Sequence, residues 1–402
     1  MFARAGVNVV RNIAAVLVLC LGLATGAWGE DFFRQNMIDP KDGQFDLSRY
    51  LSEVPLGFLP VPMIITEPAV GYGLAMGAVF FQESAAQRKQ RLEHGALLPE
   101  NVSIVGGGGT ENGTWAAGLG HLGFWRKDTI RYRGGLLYGS INLDFYSLPG
   151  IGDLPRPIEL NLEGPFVLQE LTFRIPGTRF FAGARQLFRE VDTSFANSPN
   201  LSSLPPDVVN YFNKNLDKGV VTSGLGAIAE YDTRDNPFNP QRGYYYSGYY
   251  TVFADAIGSD VDYESYNLTA LNYWELGSRF NLGLRLQFDG VSANNDTRLP
   301  AYVPPYIQLR GVSASEYQGN RVLVGEVELD YKLNERWKVG IFSGLGRAAD
   351  NFNDLADAKD VDSYGTGFRY LIARRYGFVM GVDVARGPGQ TAFYIQAGST
   401  WR

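Results

Sequence analysis

One cysteine and two histidines in 402 residues exclude a good deal of chemistry before any pattern is sought. The single thiol, Cys20, cannot form a disulfide framework, so a durable fold has to rest on sheet closure or a large core. His94 stands in a charged turn and His121 on a glycine-rich strand, neither with a ligand-spaced partner. The histidine-based metal sites and Ser–His hydrolases therefore lack their central parts. His121 beside a hydroxyl brought near by folding is the one opening left for a barrel hydrolase. No basic patch exists, and acids outnumber bases for a net charge of −6, which excludes phosphate-backbone binding and hence nucleic acid. Long apolar runs are also missing. After the first thirty residues none approaches the roughly eighteen that a membrane helix needs.

The early apolar stretch reads as a secretory leader over residues 1–29: Arg4 and Arg11, then IAAVLVLCLGL, then Ala27-Trp28-Gly29, with small residues on either side of Trp28, at the cleavage point. Leu19 stands where lipidation of Cys20 would want a small residue, which argues against a lipoprotein. Without the leader the net charge becomes −8, since its two arginines go and no acid goes with them. Residues 30–56 read as a short periplasmic segment, with a turn at Asp42-Gly43 and a helix DLSRYLSE that Asp46 could cap. The acids of DPKDGQFD miss calcium-loop spacing, and GGGG at 106–109 precedes neither Lys-Ser/Thr nor a helix, so neither is a ligand loop.

What is present in quantity is a two-residue rhythm. In RFNLGLRLQFD, Phe280, Leu282, Leu284, Leu286 and Phe288 take one face, and Arg279, Asn281, Arg285, Gln287 and Asp289 the other. Period two with one apolar and one charged face describes a strand between hydrocarbon and a wet lumen. RVLVGEVELDYK repeats it, with Glu326, Glu328 and Asp330 on one row. Three carboxylates in a row need water or cations. The polar stretch between these two segments supplies Arg310, which we expect to fold back into the lumen against Glu326 or Glu328.

Runs of strand length recur from residue 57 to the C-terminus, about sixteen in all, an even number as closed bacterial barrels require. Long connections at 142–164, 190–219, 290–320 and 349–362 alternate with short turns on the other side, apart from two longer ones, ESAAQRKQRLEHGALLPE and DTRDNPFNPQR. Glycine, at 48 residues, permits tight curvature. The tyrosines at 244, 245, 246, 249 and 250 suit interfacial girdles. The expectation is an all-β fold: a transmembrane antiparallel β-barrel over residues 57–402, in a bacterial outer membrane and in contact with its lipid, with no enzyme activity and no cofactor. Pro60 and Pro62 in the first strand each lack a donor, so pairing with the last strand, TAFYIQAGSTWR, should be poor.

Two segments resemble the BamA/TamA-type outer-membrane superfamily of bacterial surface antigen barrels. Leu309-Arg310-Gly311-Val312 is similar to its hydrophobic-Arg-Gly-aromatic loop, with Val312 in the aromatic place. Residues 231–248, YDTRDNPFNPQRGYYYSG, are similar to its periplasmic turn, here carried by Asp232, Arg234, Asp235, Pro240 and Gly243. The resemblance implies a sixteen-strand barrel that inserts or translocates proteins, or assists lipid transfer, through a weak first-to-last seam. Residues 30–56 are too few for a POTRA domain, Ser343 stands where the family places an aspartate facing the loop arginine, and Arg402 follows the terminal aromatic Trp401. The resemblance names no client or assembly partner. The competing reading is a passive pore or structural surface antigen with a plugged lumen.

Overall fold

The computed structural model describes residues 27–53, 58–67, 69–82, 100–197, 204–216, 219–294 and 296–401. The expected leader up to residue 26 and the turn carrying His94 lie outside them. Helices α1 (Ala27–Met37) and α2 (Ser48–Glu53) precede sixteen strands. These are β1 (Phe58–Ile65), β2 (Gly73–Gln82), β3 (Asn101–Thr110), β4 (Trp115–Trp125), β5 (Ile130–Leu148), β6 (Gly152–Arg174), β7 (Phe180–Phe195) and β8 (Gly219–Asp232), then β9 (Gly243–Phe253), β10 (Tyr263–Leu276), β11 (Phe280–Ser292), β12 (Arg321–Lys332), β13 (Trp337–Ala349), β14 (Val361–Ala373), β15 (Phe378–Gly387) and β16 (Gln390–Ala397). Helix α3 (Pro206–Asn215) lies between β7 and β8. All sixteen strands form one antiparallel sheet in chain order, curled into a nearly closed barrel. No helix among the described residues is long and apolar enough to cross a membrane.

Alternation sets the two faces. On β13, Ile341 is 61% exposed and its neighbour Phe342 only 5%. Leu74, Leu119, Leu225, Leu268, Phe280, Leu323 and Leu345 are likewise exposed on other strands. Each such side chain left in water forfeits roughly 1.5–3 kcal/mol, so a wall of them is stable only against lipid. The apolar row of β11 faces outward, as the membrane reading requires. Outward rings gather in two bands. One holds Trp125–Tyr132, Phe180–Tyr231, Tyr244–Trp274, Phe280–Tyr331 and Trp337–Tyr370; the other holds Trp115–Tyr138, Tyr266–Phe288 and Phe288–Phe352. Eight residues of β11 separate Phe280 from Phe288; at about 3.4 Å per residue and a tilt near 40° that is roughly 20 Å of height, close to an outer-membrane hydrocarbon band.

Three expectations are corrected. The connection expected at 142–164 is mostly sheet: β5 and β6 pair from Ile130↔Phe173 up to Leu148↔Gly152, because Leu143, Phe145, Ile158 and Leu160 continue the alternation. The 190–219 connection is shortened by β7 and contains α3, whose Val208, Tyr211 and Phe212 pack on Phe145, Leu148 and Leu160 and on Ala301. Of the five clustered tyrosines only Tyr244, Tyr246 and Tyr250 face outward. Alternation turns Tyr245 inward onto Glu230 (2.5 Å) and sets Tyr249 under Arg185.

The weak place is where the sheet ends meet. Among the described residues no ladder joins β16 to β1. The Thr66 hydroxyl instead donates to the Phe393 carbonyl and accepts the Phe393 N–H at 3.0 Å. Alternate main-chain groups of an edge strand point away from its partner. Because β1 pairs with β2 at Pro60↔Ala78 and Pro62↔Met76 without a proline donor, the missing N–H groups fall on the seam side.

Candidate functional site

β12 places Glu326, Glu328 and Asp330 on its buried face, opposite exposed Leu323 and Val327. Arg310 meets that row. Its guanidinium lies 2.5 Å from Glu326, 2.7 Å from Glu328 and 2.8 Å from Asp383 of β15, over the Phe342 ring at 3.3 Å from the centroid. Arg369 donates to both Asp383 oxygens at 2.6 and 2.9 Å, and the Trp401 indole donates to Glu326 at 2.8 Å. Lys338 reaches Asp330 at 2.6 Å. The carboxylates are thus matched by cations and donors, which a buried acidic row requires.

The rest of the segment is shaped to reach this place. Gly311 has φ +85°, and a side chain there would meet the main chain of Arg386 and Gly387 at about 3 Å, so no other residue fits both conformation and space. Its N–H donates to the Tyr394 hydroxyl at 2.8 Å. Leu309 and Val312 pack with Ile307, Val322, Val324 and Val361. Just beyond, the Ala314 N–H donates to Glu67 at 3.0 Å, and the Ser315 hydroxyl to the Asp144 carbonyl of β5 at 2.8 Å. One short stretch therefore touches β5, β12, β15 and β16 and the residue that follows Thr66.

The 231–248 motif builds a second bridge. Asp232 accepts from Arg131 at 2.8 Å and Arg234 at 3.0 Å, and Arg234 lies over the Tyr245 ring at 4.1 Å. Asp235 ties the turn by accepting the N–H groups of Asn236 and Gln241, both at 3.0 Å. Gly243 has φ +104°, and a side chain would collide with the Thr233 carbonyl at 2.4 Å. Pro240 lines a cavity of about 30 Å³ with Tyr273, Glu328, Lys338 and Trp401, enough for a water. The turn does not stop at its own hairpin. Asn236 donates to the Tyr376 carbonyl at 3.2 Å and Phe238 meets Phe378 edge-on at 5.7 Å, so it crosses to the β14–β15 turn.

Several residues sit where sequence reasoning did not put them. Ser343 shares the outward parity of Ile341 and Leu345 and donates to the Ser363 carbonyl at 3.2 Å; the residue facing the arginine is Phe342. Trp401 does not close β16 as an outward aromatic: after Gly398, at φ +82°, the chain turns inward and buries it. His121 does have a hydroxyl neighbour, Ser103 on the adjacent strand, at 2.9 Å. Both face outward, and among the described residues no carboxylate hydrogen-bonds the ring, so the pair lacks the group that would orient and charge a catalytic histidine. Asp383 and Arg369 were unmarked in the sequence, although GVDVA alternates around Asp383 as the other strands do.

Residues 188–306 match the Omp85 superfamily domain. The Omp85 match takes in the 231–248 motif and ends just before Leu309. In structure the chain is similar to BamA from Haemophilus ducreyi lacking POTRA domains 1–3, with a TM-score of 0.52 and 11% identity over 85% of this chain and 70% of that one. It is also similar to CdiB from Acinetobacter baumannii, with a TM-score of 0.50 and 12% identity over 84% of this chain and 59% of that one. No curated protein matches in sequence. The exposed apolar wall between two aromatic bands is that of an outer-membrane barrel.

Proposed function

We propose that this Omp85-type barrel inserts or transfers protein or lipid substrates at the outer membrane through the β1–β16 seam, with residues 309–312 as an internal plug that keeps the seam in register. The observation that carries this reading is the seam itself: sixteen strands in order, fifteen ladders, and a hydroxyl clip where the sixteenth would be. An unpaired edge costs little to separate, and its free main-chain groups can template an incoming strand. The Arg310 segment touches both margins, through Tyr394 on one side and Glu67 on the other. Residues 30–56 serve in this reading as a periplasmic segment. A passive pore is the weaker reading, because residues between 299 and 312 pack into three apolar clusters with Phe145, Leu187 and Val322 of the strands.

The test is a locked seam. Cys20 is the chain's one cysteine, so a Thr66→Cys/Phe393→Cys pair in C20S background can be oxidised cleanly. The reconstituted protein should accelerate folding of a small β-barrel client into liposomes when reduced and lose that effect when oxidised. A control pair at Leu136 and Val167, on the continuous β5–β6 ladder, should change nothing. Equal activity of the oxidised and reduced seam pair overturns the proposal.

A further inference from the structure

The N-terminal segment does something that neither the barrel nor the plug requires. Residues 38–51 lie against one end of the barrel and reach across the seam. Arg336, in the β12–β13 turn and with a wholly buried side chain, is held by Asp39 at 2.7 Å, Asp42 at 2.7 Å and Asp46 at 2.5 Å. Arg374, in the β14–β15 turn, shares Asp39 at 3.0 Å and also pairs with Asp42. Main-chain bonds fix the register: Leu47 N–H to the Ile372 carbonyl at 2.8 Å, Arg374 N–H to Asp46 at 3.0 Å, and the Tyr370 hydroxyl to the Phe45 carbonyl at 2.6 Å.

The apolar side of the same segment grips the opposite margin. Leu47 and Leu51 share a core with Leu59 and Val61 of β1, Val79 and Phe81 of β2 and Val102 of β3. That core continues into Ala373, Tyr376 and Phe378, and Phe81 stacks on Tyr376 with ring centroids 4.7 Å apart. Helix α2 contacts both β2 and the 374–376 turn. Charged anchors on β12–β15 and apolar anchors on β1–β3 therefore sit on opposite sides of a junction that has no ladder. A segment held by side chains and a few hydrogen bonds, with no ladder to a strand among the described residues, comes off at lower cost than a barrel strand.

We infer that residues 38–51 are an exchangeable strap, and that Arg336, Arg374 and the Phe81–Tyr376–Phe378 cluster form a docking site for an acidic peptide with flanking leucines, filled in cis by this chain's own segment. While the strap is docked, the end of the seam is held shut. When it leaves, or a peptide of the same chemistry competes with it, the β1 and β16 margins separate. This rests on the seam reading, and the two fail separately: an active locked barrel removes the seam as a route, whereas the strap is judged by a distance.

Spin labels at Phe58 of β1 and Ile395 of β16, in full-length protein in liposomes, read that distance. The wild type should give one short, narrow distribution. Asp39→Asn/Asp42→Asn/Asp46→Asn keeps shape and removes charge; it should shift the distribution longer and broader while the barrel stays heat-modifiable on gels. A synthetic peptide of residues 37–53 added in excess should restore the short distance, and the same peptide with the three asparagines should not. Should the triple variant fail to fold, Arg374→Gln, which leaves Arg336 in place, carries the same test. An unchanged distance with the segment released to protease, or equal rescue by both peptides, overturns the inference.

Discussion

The β5–β6 ladder and the β1–β16 junction are the two extremes of one wall. The first pairs a 19-residue strand with one of 23 residues through an unbroken register from Ile130 to Phe145, and its inner face is packed by α3. The second sets two strands of eight residues side by side with a threonine hydroxyl between them. At about 0.5–1.5 kcal/mol net per hydrogen bond, a missing ladder is worth several kcal/mol, enough to decide where a barrel parts. Around the β1–β16 junction lie the Arg310 segment, the inturned C-terminus and the N-terminal segment. The difference teaches that closure here is made by side chains and loops where elsewhere it is made by main chain.

The comparison breaks most severely at Arg310. Arg310→Ala leaves Glu326, Glu328 and Asp383 facing one another, a loss of about 3–5 kcal/mol as for other buried pairs broken on one side. The folded band on unheated gels should melt at clearly lower temperature, and planar-bilayer conductance should rise above that of the wild type. Arg133, 44% exposed, pairs with buried Glu170 and Glu230 on another part of the wall, but Arg185 and the Tyr245 hydroxyl also serve those acids, so Arg133→Ala should cost less, about 1–2 kcal/mol. Equal effects would show that the two halves are held alike.

Restoring donors sharpens the contrast from the other side. Pro60→Val/Pro62→Val gives β1 two seam-facing N–H groups and should stabilise the barrel by about 1–3 kcal/mol, slow deuterium exchange in β16, and reduce client insertion. Thr66→Val removes the clip for about 1 kcal/mol, with faster exchange at Phe393 and none at Val167.

The strap adds a pH dependence of stated sign. The Arg336 hydrogen bond, with help from Arg374, holds the Asp42 carboxyl well below the usual carboxylate range. Burial opposes the charge of Arg336, but its bonds to Asp42 and Asp46 outweigh that and raise its pKa. A depressed acid stabilises above its unfolded value near 3.9 and loses that contribution as pH falls through the lower, folded value. The other charged groups facing it are Asp39, Asp46, Glu335 and Arg374, so the strap should stay protease-resistant from pH 8 to about 5 and be released only below about 4. The smallest effect belongs to His121→Ala: within about 0.5 kcal/mol in stability, and without change in insertion, since the ring touches only the outer wall.

Much of the wall could be read from the chain because period two is a local property. Each residue of RVLVGEVELDYK declares its face by its two neighbours, and β12 spans the same residues as that run. The prolines of β1 were equally plain, because a missing N–H is a fact of composition. The outer parts of β5 and β6 alternate as well, in INLDF and IELNLE, but the glycines and prolines of SLPGIGDLPRP between them read as a loop. There α3 and residue 301 cover the inner face, and nothing in the sequence of β5 announces them.

The sequence alone determined that the chain is a two-faced sheet with hydrocarbon on one side, that one edge is poor in donors, and that an arginine-bearing segment lies between two charged strands. Tertiary structure alone decided which acids and rings surround that arginine. Asp383 is 73 residues from it, Trp401 is 75 from Glu326, and Asp46 is 290 from Arg336. Curling the sheet brings β12, β15 and the chain end after β16 around one connecting segment, and an ion pair formed that way depends on the curvature of the whole wall, which no run of neighbouring residues records.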